Sequence, residues 1–221
     1  MRLVTVNLYN GRVVPSDLLR FLDAVRPDVV CAQEVGPDAA RILNQRFPYG
    51  AVEGGLDHEG RALVGLHPMG VTPLALPFRG GFVGRVELAG RPLEVISIHL
   101  ANPIDGFKGI PARRAQLETL EPLLSRRADR VVVGDMNATP SWPTYRRLTR
   151  HLDDGVKQWA ERTGNRPAPT WAKAPGWPAL LRIDHVFTCG VELANVTVQR
   201  IAGLDHKAVT VDVAWPDETT T

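Results

Sequence analysis

Six short polar segments in this 221-residue chain stand where runs of hydrophobic residues stop: Asn7, Gln33-Glu34, His99-Leu100, Gly134-Asp135-Met136-Asn137, Asp184-His185 and Asp205-His206. Strand ends from distant parts of a chain can meet on one sheet edge, and a rigid edge holds side chains precisely. Taken singly, each segment has an ordinary role. Asn7 could bond turn backbone, Glu34 could cap the helix after Pro37, and a lone Asp135 or Asp184 could serve a turn. Together they demand more, because several carboxylates buried at one edge cost several kcal/mol per unpaired charge. An edge that gathers them calls for a cation, and a hard metal ion with oxygen ligands is the natural candidate.

Other chemistries find less support. Gly80-Gly81-Phe82-Val83-Gly84 precedes a strand and is not followed by a helix, so it reads as a hairpin turn rather than a dinucleotide fingerprint. His58, His67 and His151 lack the spacing of a zinc site and are assigned no chemistry. No GxSxG elbow is present for a serine hydrolase. Cys31 and Cys189 lie inside apolar stretches and read as buried free thiols. Trp142, Trp159, Trp171 and Trp177 could stack on bases, although packing is the commoner use of such residues.

The elements that must position these residues follow from hydrophobic periodicity. Strand patterns recur at 2–7, 28–33, 62–66, 82–88, 93–99, 130–134, 182–188, 192–199 and 208–213. A helix capped by Ser16 runs to Val25, Pro37 opens one to Arg46, Pro111 opens one to Arg126, and Ser141 starts a short one to Arg150. Hairpin-like spacing in the middle and at the end, with helices elsewhere, predicts an α+β sandwich of two packed, mainly antiparallel sheets flanked by helices. No linker, repeat or low-complexity tract interrupts the chain, so a single domain over 1–216 is expected, with 217–221 as a frayed tail.

Composition sets outer limits. Hydrophobic residues at 44% can form an ordinary core, and no apolar run approaches the roughly 18 residues that span a bilayer. The first residues enter a strand pattern without a basic-then-apolar leader, which leads us to expect a cytoplasmic protein; a monomer is the default. The formal net charge is only +2. From Gly106 to Arg150, however, nine Lys or Arg face four Asp or Glu, a local excess of five. This segment, with Arg113 and Arg114 as its substrate-binding candidates, is expected to border the active site and contact substrate phosphates.

The ordered set Asn7, Gln33-Glu34, His99-Leu100, Gly134-Asp135-Met136-Asn137, Ile183-Asp184-His185-Val186-Phe187 and Asp205-His206 resembles the endonuclease/exonuclease/phosphatase superfamily, nearly end to end. The resemblance implies a four-layer α/β sandwich and hydrolysis of phosphate esters with a divalent metal, typically magnesium, with manganese as the alternative. It implies Glu34 as the principal metal ligand, with Asn7 and Asp205 completing the site. Asp135 and Asn137, which look like part of the family's GDxN motif, would orient the attacking water and hold a phosphate oxygen. His206 would be the general acid/base, Asp184 its carboxylate partner, and His99 a donor to non-bridging oxygens. The His-Leu pair at 99 and 100 is similar to the deoxyribonuclease I, sphingomyelinase and 5-phosphatase branches, whereas Leu204 stands where a Ser usually precedes the Asp-His pair. No acidic partner for His99 stands out. Pro169-Thr170-Trp171 is similar to a stretch in small bacterial members. A nuclease acting on DNA or RNA is the leading expectation, and a phosphodiesterase or phosphatase acting on a lipid headgroup, inositol phosphate or other small ester is the alternative.

Overall fold

The computed structural model describes residues 1–55, 58–104 and 106–216; the expected frayed tail lies outside them. In chain order the elements are β1 (Arg2–Asn7), α1 (Pro15–Val25), β2 (Val29–Gln33), α2 (Pro37–Arg46), β3 (Tyr49–Glu53), β4 (Arg61–Gly65), β5 (Met69–Leu74), β6 (Gly81–Leu88), β7 (Arg91–His99), α3 (Gly106–Leu124), β8 (Arg130–Asp135), α4 (Pro143–Leu148), β9 (Asp153–Asp154), α5 (Gly155–Thr163), β10 (Asp184–Cys189), β11 (Glu192–Arg200) and β12 (Lys207–Ala214). They build two six-stranded sheets, β11-β12-β1-β2-β4-β3 and β5-β6-β7-β8-β10-β9. The pairing is antiparallel except for one central pair in each sheet, β1 with β2 and β7 with β8.

Alternation along the central strands explains the layering, because successive side chains face opposite sides of a sheet. Val131 and Val133 of β8 join Leu3, Val29, Cys31 and Leu63 of the other sheet in a core between the two sheets. Val132 faces outward onto Leu117, Leu120 and Leu124 of α3. Val4 and Val6 of β1 face Leu18, Phe21 and Leu22 of α1 and Leu43 of α2. Three cores thus separate four layers: α1 and α2, sheet, sheet, α3 and α4. The expected α+β sandwich is the one found. No helix among the described residues is long and apolar enough to cross a membrane.

Helix starts depart from expectation in instructive ways. Ser16 does not cap α1; Val14 occupies that position without a side-chain hydrogen bond, and Pro15 opens the helix with its preset φ. Pro111 lies inside α3, which begins at Gly106, and α4 begins at Pro143 rather than Ser141. Three strands and α5 have no counterpart among the sequence patterns. Both cysteines are free, with Cys31 buried between the sheets and Cys189 only half-buried.

The two parallel pairs matter most for function. Each is a β-helix-β unit, β1-α1-β2 in one sheet and β7-α3-β8 in the other, and ligands in such units bind beyond the carboxyl ends of the strands. Those four strands end in Asn7, Gln33, His99 and Asp135.

Candidate active site

Close backbone packing brings the strand ends together. Asn7 and Gln33 are register partners at the end of the β1–β2 pair, and His99 and Asp135 hold the same place in the other sheet. Gly134 makes that second pairing possible: its φ is +136°, and a Cβ there would lie 1.9 Å from the Ile98 carbonyl oxygen. Only glycine fits. In the other sheet, a Cβ on Gly11 would sit 2.5 Å from the Cα of Gly36, so the turns after β1 and β2 touch backbone to backbone. Glu34, in that contact region, takes a left-handed φ of 54°, as does Asn137 with 46°. Non-glycine residues adopt this conformation at a cost that packing and function must offset.

Asn7 stitches the sheets across the site. Its amide nitrogen donates to Glu34 Oε1 at 3.2 Å and to Asp135 Oδ2 at 3.1 Å, while its oxygen accepts from the Tyr9 N–H. Glu34 Oε2 accepts from the Asn10 N–H at 2.7 Å. Asp135 Oδ1 accepts from the Asn137 N–H at 2.8 Å, and its Oδ2 also lies 3.4 Å from His99 Nε2 and 3.8 Å from His206 Nε2. Burial opposes charge on Asp135, yet the facing His206 and His99 outweigh it and hold the carboxyl well below the usual range.

His206 lies on the opposite wall. Its Nδ1 lies 2.9 and 3.1 Å from the two oxygens of Asp184, and both side chains are buried. Burial lowers the affinity of His206 for a proton, but Asp184, Asp135 and Asp205 together push its pKa up to about 10. Burial and the neighbouring Asp135 also raise Asp184, so the pair holds its shared proton firmly. A strap through Thr170 and Trp171 sets this geometry. Thr170 Oγ1 accepts from the Ile183 and Asp184 N–H groups, its carbonyl accepts from the Lys207 N–H, and Trp171 bridges to both Leu181 and His206. β10 and β12 belong to different sheets, and the strap ties their first residues together.

One cleft of about 410 Å³ is lined by Asn7, Glu34, Asp135, Asn137, Asp205 and His206 among others. His99 and Asp184 stand directly behind it through their contacts with Asp135 and His206. Eight of the ten sequence-derived candidates are therefore gathered in one place. Arg113 and Arg114 are not among the lining residues. Arg113 is buried, and its guanidinium donates to the carbonyls of Ala101 and Asn137 and to Thr144 Oγ1. Arg114 is exposed and pairs with Glu118. None of the nine basic residues between Gly106 and Arg150 lines the cleft; Arg130 pairs with Glu94 and Arg147 with Glu121. Among the described residues the expected basic border is therefore not found: three of these charges enter ion pairs and Arg113 is turned to backbone carbonyls.

Sequence reasoning missed several lining residues. His58, assigned no chemistry, places Nδ1 2.9 Å from Glu34 Oε1. Arg79, in the β5–β6 turn, is buried and lays its guanidinium against the His99 ring, whose Nε2 also lies 3.4 Å from Asp135. Trp142 and Trp171 form part of the wall with Ile104, Leu181 and Ile183. The sequence marks a turn at Gly80-Gly81, one residue after Arg79, but nothing in it says which way Arg79 faces.

The chain matches the model of the Endonuclease/Exonuclease/phosphatase family over residues 4–206. It belongs to that family. The family consists of phosphoester hydrolases. Among curated proteins none matches the sequence. Similar solved structures include an endonuclease/exonuclease/phosphatase from Beutenbergia cavernae, 20% identical with a TM-score of 0.74 over 97% of this chain and 71% of that one. The 3′ phosphatase NExo from Neisseria, bound to a product DNA hairpin, is 19% identical with a TM-score of 0.71 over 97% of this chain and 100% of that one. Humanized TDP2 from D. rerio is 16% identical with a TM-score of 0.75 over 97% of this chain and 98% of that one. At these identities the likeness shows the fold.

Two groups of side chains could hold a divalent ion. Asp135, Asp184 and His206 offer atoms within 4.8 Å of one another. In that group, however, His206 Nδ1 is already engaged by Asp184, and the three residues are 2–6% exposed. The second group is Glu34 with Asn7 and Asp205. Asp205 Oδ1 is a buried carboxylate oxygen without a hydrogen-bond partner. Burial and the like charge of Glu34 both raise the Asp205 carboxyl. A hard cation relieves both causes at once, so this second donor set fits the ion better.

Proposed function

We propose that this protein is a divalent-metal-dependent phosphoester hydrolase acting on nucleic acid, with Glu34, Asn7 and Asp205 as the ligands of a magnesium or manganese ion. The observation that carries this reading is the unpartnered Oδ1 of Asp205, on a side chain that lines the same cleft as Glu34 and is repelled by its charge. When bound there, the ion would supply Lewis-acid stabilisation of a phosphoryl oxygen.

The remaining work falls to the chain's own groups. In-line displacement places negative charge on the equatorial oxygens, requires a water to lose a proton and requires the leaving oxygen to gain one. Asn137, in the cleft wall, would donate to a phosphoryl oxygen, with His99 standing 3.4 Å away behind it. Asp135, held as a carboxylate by the facing His206 and His99 and hydrogen-bonded by Asn7 and Asn137, orients the water and accepts its proton. His206, fixed through Nδ1 by Asp184, presents Nε2 toward Asp135 and the cleft and passes a proton to the leaving oxygen. The phosphorus–oxygen bond to the leaving group breaks as the bond to water forms. The products are a phosphate-bearing fragment and an alcohol.

A panel of plasmid DNA, single-stranded DNA, RNA, sphingomyelin and small phosphoesters, each with Mg²⁺, Mn²⁺ or chelator, tests the reading. Hydrolysis should require the ion and should be lost in Glu34→Gln and Asp135→Asn. Turnover that survives chelation, or that survives both substitutions, would refute it. A small phosphoester is the second reading, favoured by one observation, the absence of the expected basic border.

A further inference from the structure

The walls of the cleft are chemically lopsided. Among the described lining residues, three carboxylates, Glu34, Asp135 and Asp205, face one guanidinium, Arg79, and the imidazole of His206. A groove that tracks a nucleic-acid backbone needs a row of Lys and Arg along it. Of the basic residues on α3 and α4, Arg113 is committed to carbonyls and Arg147 to Glu121. One divalent ion added to this set would offset two carboxylates and leave room for about one phosphate. The volume of about 410 Å³ also lies within the roughly 300–1,000 Å³ of small-ligand sites.

Beside that single phosphate position, the wall is apolar and aromatic. Trp142 is 36% exposed and Leu181 40%, while Ile104 at the rim is 81% exposed. Exposed apolar side chains lining one cleft mark a surface that a ligand covers. Trp142 is held by the chain rather than left loose: it occupies the N-cap of α4, and the buried Arg113 guanidinium lies 5.8 Å from its ring centroid. A fixed indole face beside a lone phosphate position suits a planar ring, because aromatic faces stack on bases without regard to sequence.

Resting on the proposed phosphoesterase reading, we infer that the unit recognised is a single phosphoester with one planar ring attached, stacked on Trp142, rather than a stretch of polyanionic backbone. A nucleoside at a strand terminus and a free nucleoside ester both present this unit. Trp142 is accordingly a specificity-determining residue.

The test uses the full chain with saturating Mg²⁺ and pairs of esters that share the scissile bond. The methyl ester of thymidine 5′-phosphate is compared with the methyl ester of deoxyribose 5-phosphate, which lacks only the base. The ring-bearing ester should show kcat/KM higher by about tenfold or more, as one stacked base is worth on alanine replacement. Trp142→Ala should erase most of that ratio, and Trp142→Phe should keep it. A dinucleotide and a 20-residue single strand should differ little per end, and changing NaCl from 50 to 200 mM should shift neither by more than a few-fold. A chain gripped through six or more phosphates would lose about a thousandfold over that range. Cleavage of the free ester, or of the strand from its end, supports the assignment and identifies the source. Equal turnover of the ring-bearing and ring-less esters, or a long strand favoured a hundredfold with steep salt loss, would overturn it while leaving the metal-dependent hydrolase standing. If Trp142→Ala does not fold, the wild-type ester ratio and salt response still decide. No hydrolysis of any ester with any divalent ion would overturn both readings.

Discussion

His206 and Asp184 form the tightest polar contact across the site, with both imidazole-facing carboxylate oxygens within 3.1 Å of Nδ1. If they act as one unit, His206→Ala and Asp184→Asn should each lower kcat by about 10²–10⁴-fold with little change in melting temperature. The double variant should then lose little more than either single one, since residues acting as a unit are strongly non-additive. Losses that multiply in single-turnover kinetics would show two independent residues. Arg113 and Arg114 separate structure from substrate binding at the same scale. Arg113→Ala strands the Ala101 and Asn137 carbonyls and should cost about 1–3 kcal/mol in urea unfolding for each buried group left unpaired. Arg114→Ala, which touches only exposed Glu118, should stay within about 0.5 kcal/mol with KM unchanged. A large KM increase in Arg114→Ala would restore the substrate-binding expectation for that residue. Asn7, Glu34 and Asp135 were legible in the sequence because each stands where a strand pattern ends, and Asp205 because it stands shortly before one begins. Arg79 and His58 were not, because their positions depend on the paths of turns, and turn chemistry fixes backbone shape without saying what the turn folds over.

Elements show the same division between what periodicity carries and what tertiary context decides. The unread strands β3, β5 and β9 are all sheet edges. An edge strand is covered on fewer sides, so it needs no continuous Val, Ile and Leu run; β5 even contains Pro73 and Gly70, tolerable where one flank lacks a partner. Central strands such as β8, buried at every position, were unmistakable. The helix α5 begins with Gly155 and carries few apolar residues, yet Asp154 caps it by accepting from the Lys157 N–H at 3.0 Å, a signal present in the sequence but weak alone. At this scale Gly134 carries the sharpest prediction. Gly134→Ala forces a Cβ onto the Ile98 carbonyl and a side chain into a glycine-only conformation, and should destabilise by about 2–3 kcal/mol. Activity at a temperature where the variant remains folded should fall as well, because His99 and Asp135 lose their shared register. A variant as stable as wild type would show that the close approach of β7 and β8 is not required.

Across the whole molecule, one buried group sets an acid limit on the fold. His185 stacks on Phe187, its Nε2 bonds the Ala138 carbonyl at 2.8 Å, and its buried Nδ1 has no partner for a second proton. Burial and the nearby Arg182 push its pKa down to about 4. Below about pH 6.5 the unfolded chain takes up a proton that the folded chain refuses until about pH 4, so stability falls as pH falls through that window. The loss should reach about 3 kcal/mol, from about 1.4 kcal/mol per pH unit. His185→Gln, which keeps an N–H for Ala138, should flatten the slope in urea titrations, and an unchanged slope would assign acid sensitivity to other groups. The central claim concerns the proposed ion, held at one end of the first sheet by residues nearly 200 positions apart in sequence, and Mn²⁺-soaked crystals measured at the manganese edge test it most directly. A single anomalous peak bonded to a Glu34 oxygen, with Asp205 and Asn7 as its other protein neighbours, is the predicted result. A peak within Asp135, Asp184 and His206 with none at Glu34, or no peak in the cleft, would contradict it.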